Sequence, residues 1–98
     1  MTETGFAQLH VIVTGHVQGV GFRAFVQDQA YRIGLTGWVR NRWDGSVEVL
    51  VEGEKFKLET LLQALYRGPR LGTVSGLEAQ WGEYSGEFHD FRVRQTSG

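Results

Sequence analysis

The stretch TGWVRNRWDGSVEVLVEG, residues Thr36–Gly53, decides the fold. Two runs with β-character flank Asp44-Gly45, a dipeptide that supplies the left-handed dihedrals of a tight hairpin turn. The return run alternates, with Val47, Val49 and Val51 on one face and Glu48 and Glu52 on the other, as expected of a strand with one buried side. In the outgoing run Val39 and Asn41 share one parity, and Trp38, Arg40 and Arg42 share the other.

Helices are expected on both sides of this hairpin. Upstream, Phe22, Phe25, Val26, Ala30 and Ile33 recur at helical spacing, which predicts an amphipathic helix over 22–33. Gly34 is placed to terminate it. Downstream, Leu58, Leu61, Leu62 and Leu65 form one apolar stripe that stops at Gly68-Pro69. Further out, QLHVIVTG (Gln8–Gly15) is apolar on both parities and reads as a central strand. TVSGLEAQW and HDFRVRQ supply the final strand material, with Leu77, Ala79, Trp81, Phe91 and Val93 expected to face inward. The ends, MTETG and QTSG, read as frayed. The order strand, helix, strand, strand, helix, strand gives an α+β fold. It is a ferredoxin-like βαββαβ sandwich, an antiparallel sheet with two helices on one face.

A chain of 98 residues is expected to form a single domain over 1–98, with a structured core over about 7–95. Net charge is −1, which argues against general nucleic-acid affinity. The charge is uneven, however: up to Trp43 the ionic residues are Glu3, Asp28, Arg23, Arg32, Arg40 and Arg42, a local excess suited to a small anion. There is no cysteine, hence no disulfide framework and no thiolate zinc site. No apolar run reaches membrane-spanning length and no secretory signal is evident. A cytoplasmic monomer that binds neither nucleic acid nor membrane is the expectation.

Between the first strand and the first helix lies VTGHVQGVGFRAF, Val13–Phe25, with three glycines and no acid. A glycine-rich turn into a helix exposes unpaired backbone N–H groups at the positive helix end, where a phosphate can sit. Gly15, Gly19 and Gly21 permit the dihedrals and close approach required. Arg23 falls in the first helical turn, where the dipole disfavours a cation unless an anion accompanies it. Its planar fork can grip two oxygens. The spacing matches neither the nucleoside triphosphate loop nor the dinucleotide fingerprint. Asn41 has two readings. It is a strand-end amide satisfying the adjacent turn, or it stands beside the cradle and hydrogen-bonds a water or substrate oxygen. His16 is read as an exposed loop residue, since no local carboxylate orients it. No residues have metal-ligand spacing and no nucleophile motif is present. Catalysis at this loop therefore means positioning and electrostatics acting on a labile substrate.

Two blocks, GHVQGVGFRAF (Gly15–Phe25) and GLTGWVRNRWDGSVEV (Gly34–Val49), together with the later VEG and GP, resemble the acylphosphatase family in order and spacing. The resemblance implies the same ferredoxin-like fold. It also implies hydrolysis of carboxyl-phosphate anhydrides to a carboxylate and inorganic phosphate, without metal or cofactor. Carried over, Gly15, His16, Val17, Gln18, Gly19, Val20 and Gly21 would bind the phosphoryl group. Arg23 would bind and neutralise it, Asn41 would orient the attacking water, and the substrate phosphate would take the water's proton. The partners implied are a small acyl phosphate and, as product or inhibitor, inorganic phosphate or a similar anion.

Two other classes compete. An RNA-recognition module shares this fold, but needs outward aromatics on its third strand, and SVEVLVEG has none. A module that senses an anion without turnover would keep the loop and Arg23 but has no need of Asn41.

Overall fold

The computed structural model describes residues 5–98. The longest strand, β1 (Phe6–His16), lies in the sheet interior and pairs antiparallel with both β3 (Val47–Glu54) and β4 (Thr73–Gly82). β2 (Thr36–Asn41) pairs antiparallel with β3 through the expected hairpin. Its turn is closed by bonds from the Arg42 amide to the Ser46 carbonyl and from the Gly45 amide to the Arg42 carbonyl. A short final strand, β5 (Phe91–Val93), runs parallel to β2. The sheet order is β4-β1-β3-β2-β5. The two helices α1 (Phe22–Ile33) and α2 (Lys55–Arg67) begin and end close to where the apolar spacing places them. Gly34 caps α1 in the left-handed region, its N–H bonded to the Ala30 carbonyl at 2.9 Å.

The core lies between the helices and one sheet face. Leu9, Val11, Val13, Val39, Val47, Val49 and Val51 pack against Phe22, Val26 and Ala30 of α1 and Leu58, Leu61 and Leu65 of α2. This burial fixes the register. A one-residue slip of β3 would turn Val47, Val49 and Val51 to the open face, forfeiting on the order of 5–9 kcal/mol. On the open face Glu48 accepts from Arg40 Nε at 2.7 Å and contacts His10 Nε2 at 2.6 Å. The Arg40 and Arg94 guanidinium groups lie over the Trp38 ring there, 5.1 and 4.9 Å from its centroid.

The sandwich expected from the sequence is therefore present, with three corrections. The final strand material divides into two strands at opposite edges, and the parallel β2–β5 pair makes the sheet mixed. Register places Leu77, Ala79 and Trp81 opposite Val13, Val11 and Leu9, on the expected face. Yet Ala79 is exposed, and Trp81 and Val93 are 43% and 40% exposed. All three are on edge strands, where a side chain has sheet neighbours on one side only. Finally, QTSG is not frayed. The Arg94 amide donates to the Val39 carbonyl at 2.8 Å and the Ser97 amide to the Asn41 carbonyl at 3.1 Å, so the chain continues alongside β2. Of MTETG, residues 1–4 lie outside the described residues, while the Gly5 carbonyl accepts a bond from the Lys55 amide.

To reach the far edge, the chain between β4 and β5 crosses the open face at the end where β1 begins. Glu52, only 1% exposed, holds it there. Its carboxylate accepts from Gln8 Nε2, the Ser85 amide and the Ser85 hydroxyl, each at 2.8 Å, and from the Gly86 amide at 3.0 Å. Burial pushes the carboxyl up, but these donors outweigh it and hold Glu52 below its ordinary value. A depressed carboxyl contributes stability above its unfolded value, and that contribution disappears as pH falls through the folded value. Glu52→Gln should thus lose about 1–3 kcal/mol at pH 7. The gap from wild type should narrow as pH drops below about 4.5, measured by urea midpoints from pH 7 to pH 3.

Candidate active site

The site begins where β1 leaves the sheet. Between Thr14 and Gly15 the pairing with β4 shifts register, and Gly15 has φ 126°. A Cβ there would stand 2.3 Å from the Thr73 carbonyl oxygen, so only glycine lets the two backbones approach this closely. Val17 then anchors the loop in the core, 1% exposed. Gly19 and Gly21 take left-handed dihedrals, φ 75° and 78°, and Gly21 is the residue before α1.

The loop leaves its amides free. Among the described residues, no backbone N–H from Val17 to Gly21 donates to another backbone oxygen. The first bond of the helix is from Phe25 to the Gly21 carbonyl, at 3.0 Å. The first turn of α1 has no side-chain cap and no acidic residue, so its positive end is uncompensated. The Gln18 side chain turns the other way. Its Nε2 donates to the Arg42 and Ser46 carbonyls, both at 2.8 Å, tying the loop to the β2–β3 turn. That turn is itself braced by Asp44, whose carboxylate accepts from the Ser46 hydroxyl and amide. These bonds hold the Asp44 carboxyl below its ordinary value.

Loop, helix start and the end of β2 enclose a cleft of about 280 Å³, small even among ligand sites. Val17, Gly19, Gly21, Arg23 and Asn41 line it, and so do Gln27 and Val93. Among the described residues, no carboxylate does. Arg23 is half-buried and forms no ion pair with a described residue. Asn41 Oδ1 is buried with no hydrogen-bond partner among the described residues, a condition native structures rarely tolerate without a water or ligand. The amide therefore does not satisfy the adjacent turn, which the first of its two readings required.

The structure thus brings five of the residues singled out from sequence to one cleft, while Gly15, His16, Gln18 and Val20 are not among its lining side chains and backbone. His16 is exposed at the end of β1, paired with Thr73. Sequence reasoning missed the Gln18 tether, Gln27 and Val93. Gln27 carried a signal, since it stands one helical turn beyond Arg23 on the same face.

A family model described as Acylphosphatase matches residues 9–93. The chain is 45% identical over 87 residues to the Acylphosphatase of Pelotomaculum thermopropionicum, covering 89% of this chain and 95% of that one. It is 51% identical over 79 residues to the Acylphosphatase of Thermus thermophilus, covering 81% and 90%. The crystal structure of acylphosphatase from Bacillus subtilis superposes with a TM-score of 0.87 at 39% identity, covering 90% of this chain and 98% of that chain. The family match spans the elements that build the cleft and runs through both Arg23 and Asn41. The chain belongs to the acylphosphatase family.

Proposed function

We propose that the chain hydrolyses small acyl phosphates, with Arg23 and the loop from Gly15 to Gly21 binding the phosphoryl group and Asn41 holding the attacking water. The observation that carries the mechanism is the buried Asn41 Oδ1, without a partner among the described residues, in the same cleft as an arginine and loop amides that these residues likewise leave unpaired.

An acyl phosphate brings two or more anionic oxygens and a good carboxylate leaving group. Arg23 and the loop amides offer fixed donors to those oxygens as charge redistributes, with little reorganisation during reaction. Asn41 Oδ1 accepts a hydrogen bond from the water and so directs a lone pair at phosphorus. The bond from the water oxygen to phosphorus forms as the bond from phosphorus to the acyl oxygen breaks, releasing a carboxylate. The water's proton passes to a phosphoryl oxygen, giving inorganic phosphate, since no carboxylate of the described residues lines the cleft. Holding both reactants in line is the principal service the site performs.

Hydrolysis of acetyl phosphate in the presence of EDTA tests this reading. Asn41→Ala should lower kcat about 10²- to 10³-fold while inorganic phosphate still raises the melting temperature. Arg23→Ala and Arg23→Lys should lose both turnover and phosphate protection, because neither supplies a bidentate fork. Full activity in Asn41→Ala removes the water-holding role; a wild type that binds phosphate without turnover is an anion sensor. For the tether, Gln18→Ala should lower kcat about ten- to hundredfold through misplacement of the loop. Gln18→Glu should be worse, because a carboxylate would face the Arg42 and Ser46 carbonyls with no proton to give.

A further inference from the structure

The cleft does not end at Gln27. A second depression of about 350 Å³, lined by Ala24, Gln27, Asp28, Tyr31 and Phe91, shares Ala24 and Gln27 with it. On the sheet side the same continuity runs from Val93 to Phe91, alternate residues of β5 on one face. The two depressions thus lie end to end along the seam between α1 and β5, meeting at Ala24 and Gln27, with the phosphoryl site at one end. From Ala24 to Tyr31 the seam runs about 10 Å along the helix.

Beyond Arg23 the lining is Ala24, Gln27, Asp28, Tyr31, Phe91 and Val93, four of the six apolar or aromatic. Tyr31 is 82% exposed and Val93 40%. Helical side chains lean toward the helix N-terminus, so Tyr31 reaches back over the turn that holds Gln27. Gln27 Nε2 donates to the Phe91 carbonyl at 3.2 Å, which fixes the amide across the groove and leaves its oxygen as an acceptor. At the far end the Asp28 carboxylate lines the depression and is met by Arg32 Nε at 2.9 Å, so a second anionic group there would meet a like charge. Ala24 and Gln27 belong to the helical layer and Asn41 to the sheet. A leaving group directed along the helix thus departs away from a water held at Asn41.

We propose that this α1–β5 groove is the acyl subsite, and that it takes uncharged, flat acyl groups such as an aryl carboxyl, with Tyr31 as a specificity-determining residue. The proposal rests on the hydrolase reading above and adds the substrate class to it. The comparison to make is kcat/KM for benzoyl phosphate against acetyl phosphate in wild type, Tyr31→Ala and Tyr31→Glu. Intrinsic reactivity differs between the two substrates but cancels when their ratio is compared across variants. Tyr31→Ala should lower the benzoyl-to-acetyl ratio about three- to tenfold, the range of an offset aromatic contact. Tyr31→Glu should lower it at least as far. Acetyl phosphate turnover and inhibition by inorganic phosphate should stay unchanged, since neither extends past the cleft. A ratio unchanged within about twofold in both variants, with acetyl phosphate still hydrolysed, overturns the subsite and spares the hydrolase. A wild type inert toward both substrates overturns the hydrolase reading and the subsite together.

Discussion

Everything at the cleft depends on two hydrogen bonds from one amide. Gln18 Nε2 spans from the loop to the Arg42 and Ser46 carbonyls, and so fixes the separation between an element that ends β1 and one that joins β2 to β3. The loop's free amides and Asn41 stand on opposite sides of that span. Both ends are rigid for independent reasons. β1 is paired on both edges and buried on its helix face. The turn is closed by its own backbone bonds and by Asp44. A donor that leaves no polar side chain exposed to the ligand thereby sets the geometry in which the ligand is met.

The fold was largely legible because its decisive features are local. Asp44-Gly45 sets the hairpin, and the helical stripes and valine alternation set the faces. What escaped was what local pattern cannot carry. Alternation reports which face a residue takes but not whether anything covers it, so Ala79, Trp81 and Val93 are on the expected faces and yet exposed. The parallel placement of β5 depends on Glu52 gathering Gln8, Ser85 and Gly86, residues scattered over most of the chain. The tail's attachment to β2 uses backbone groups, to which the sequence QTSG gives no clue.

The site divides along the same line. Arg23 announced itself by standing where a helix dipole disfavours it, and Asn41 by its parity with Val39. Gln18 was read for its backbone because its side-chain partners are carbonyls, which every residue possesses. Gln27 and Val93 come from elements that meet only in the folded sheet.

The Gln18 span also joins positions 24 and 28 residues apart, and the bond from Ser97 reaches back to Asn41 from near the opposite end of the chain. No fragment of the chain holds both halves of the cleft before the sheet has assembled. Return of catalytic turnover during refolding would therefore report the completed native state rather than collapse or helix formation. Turnover is therefore a readout of the assembled sheet that no isolated helix or hairpin can give.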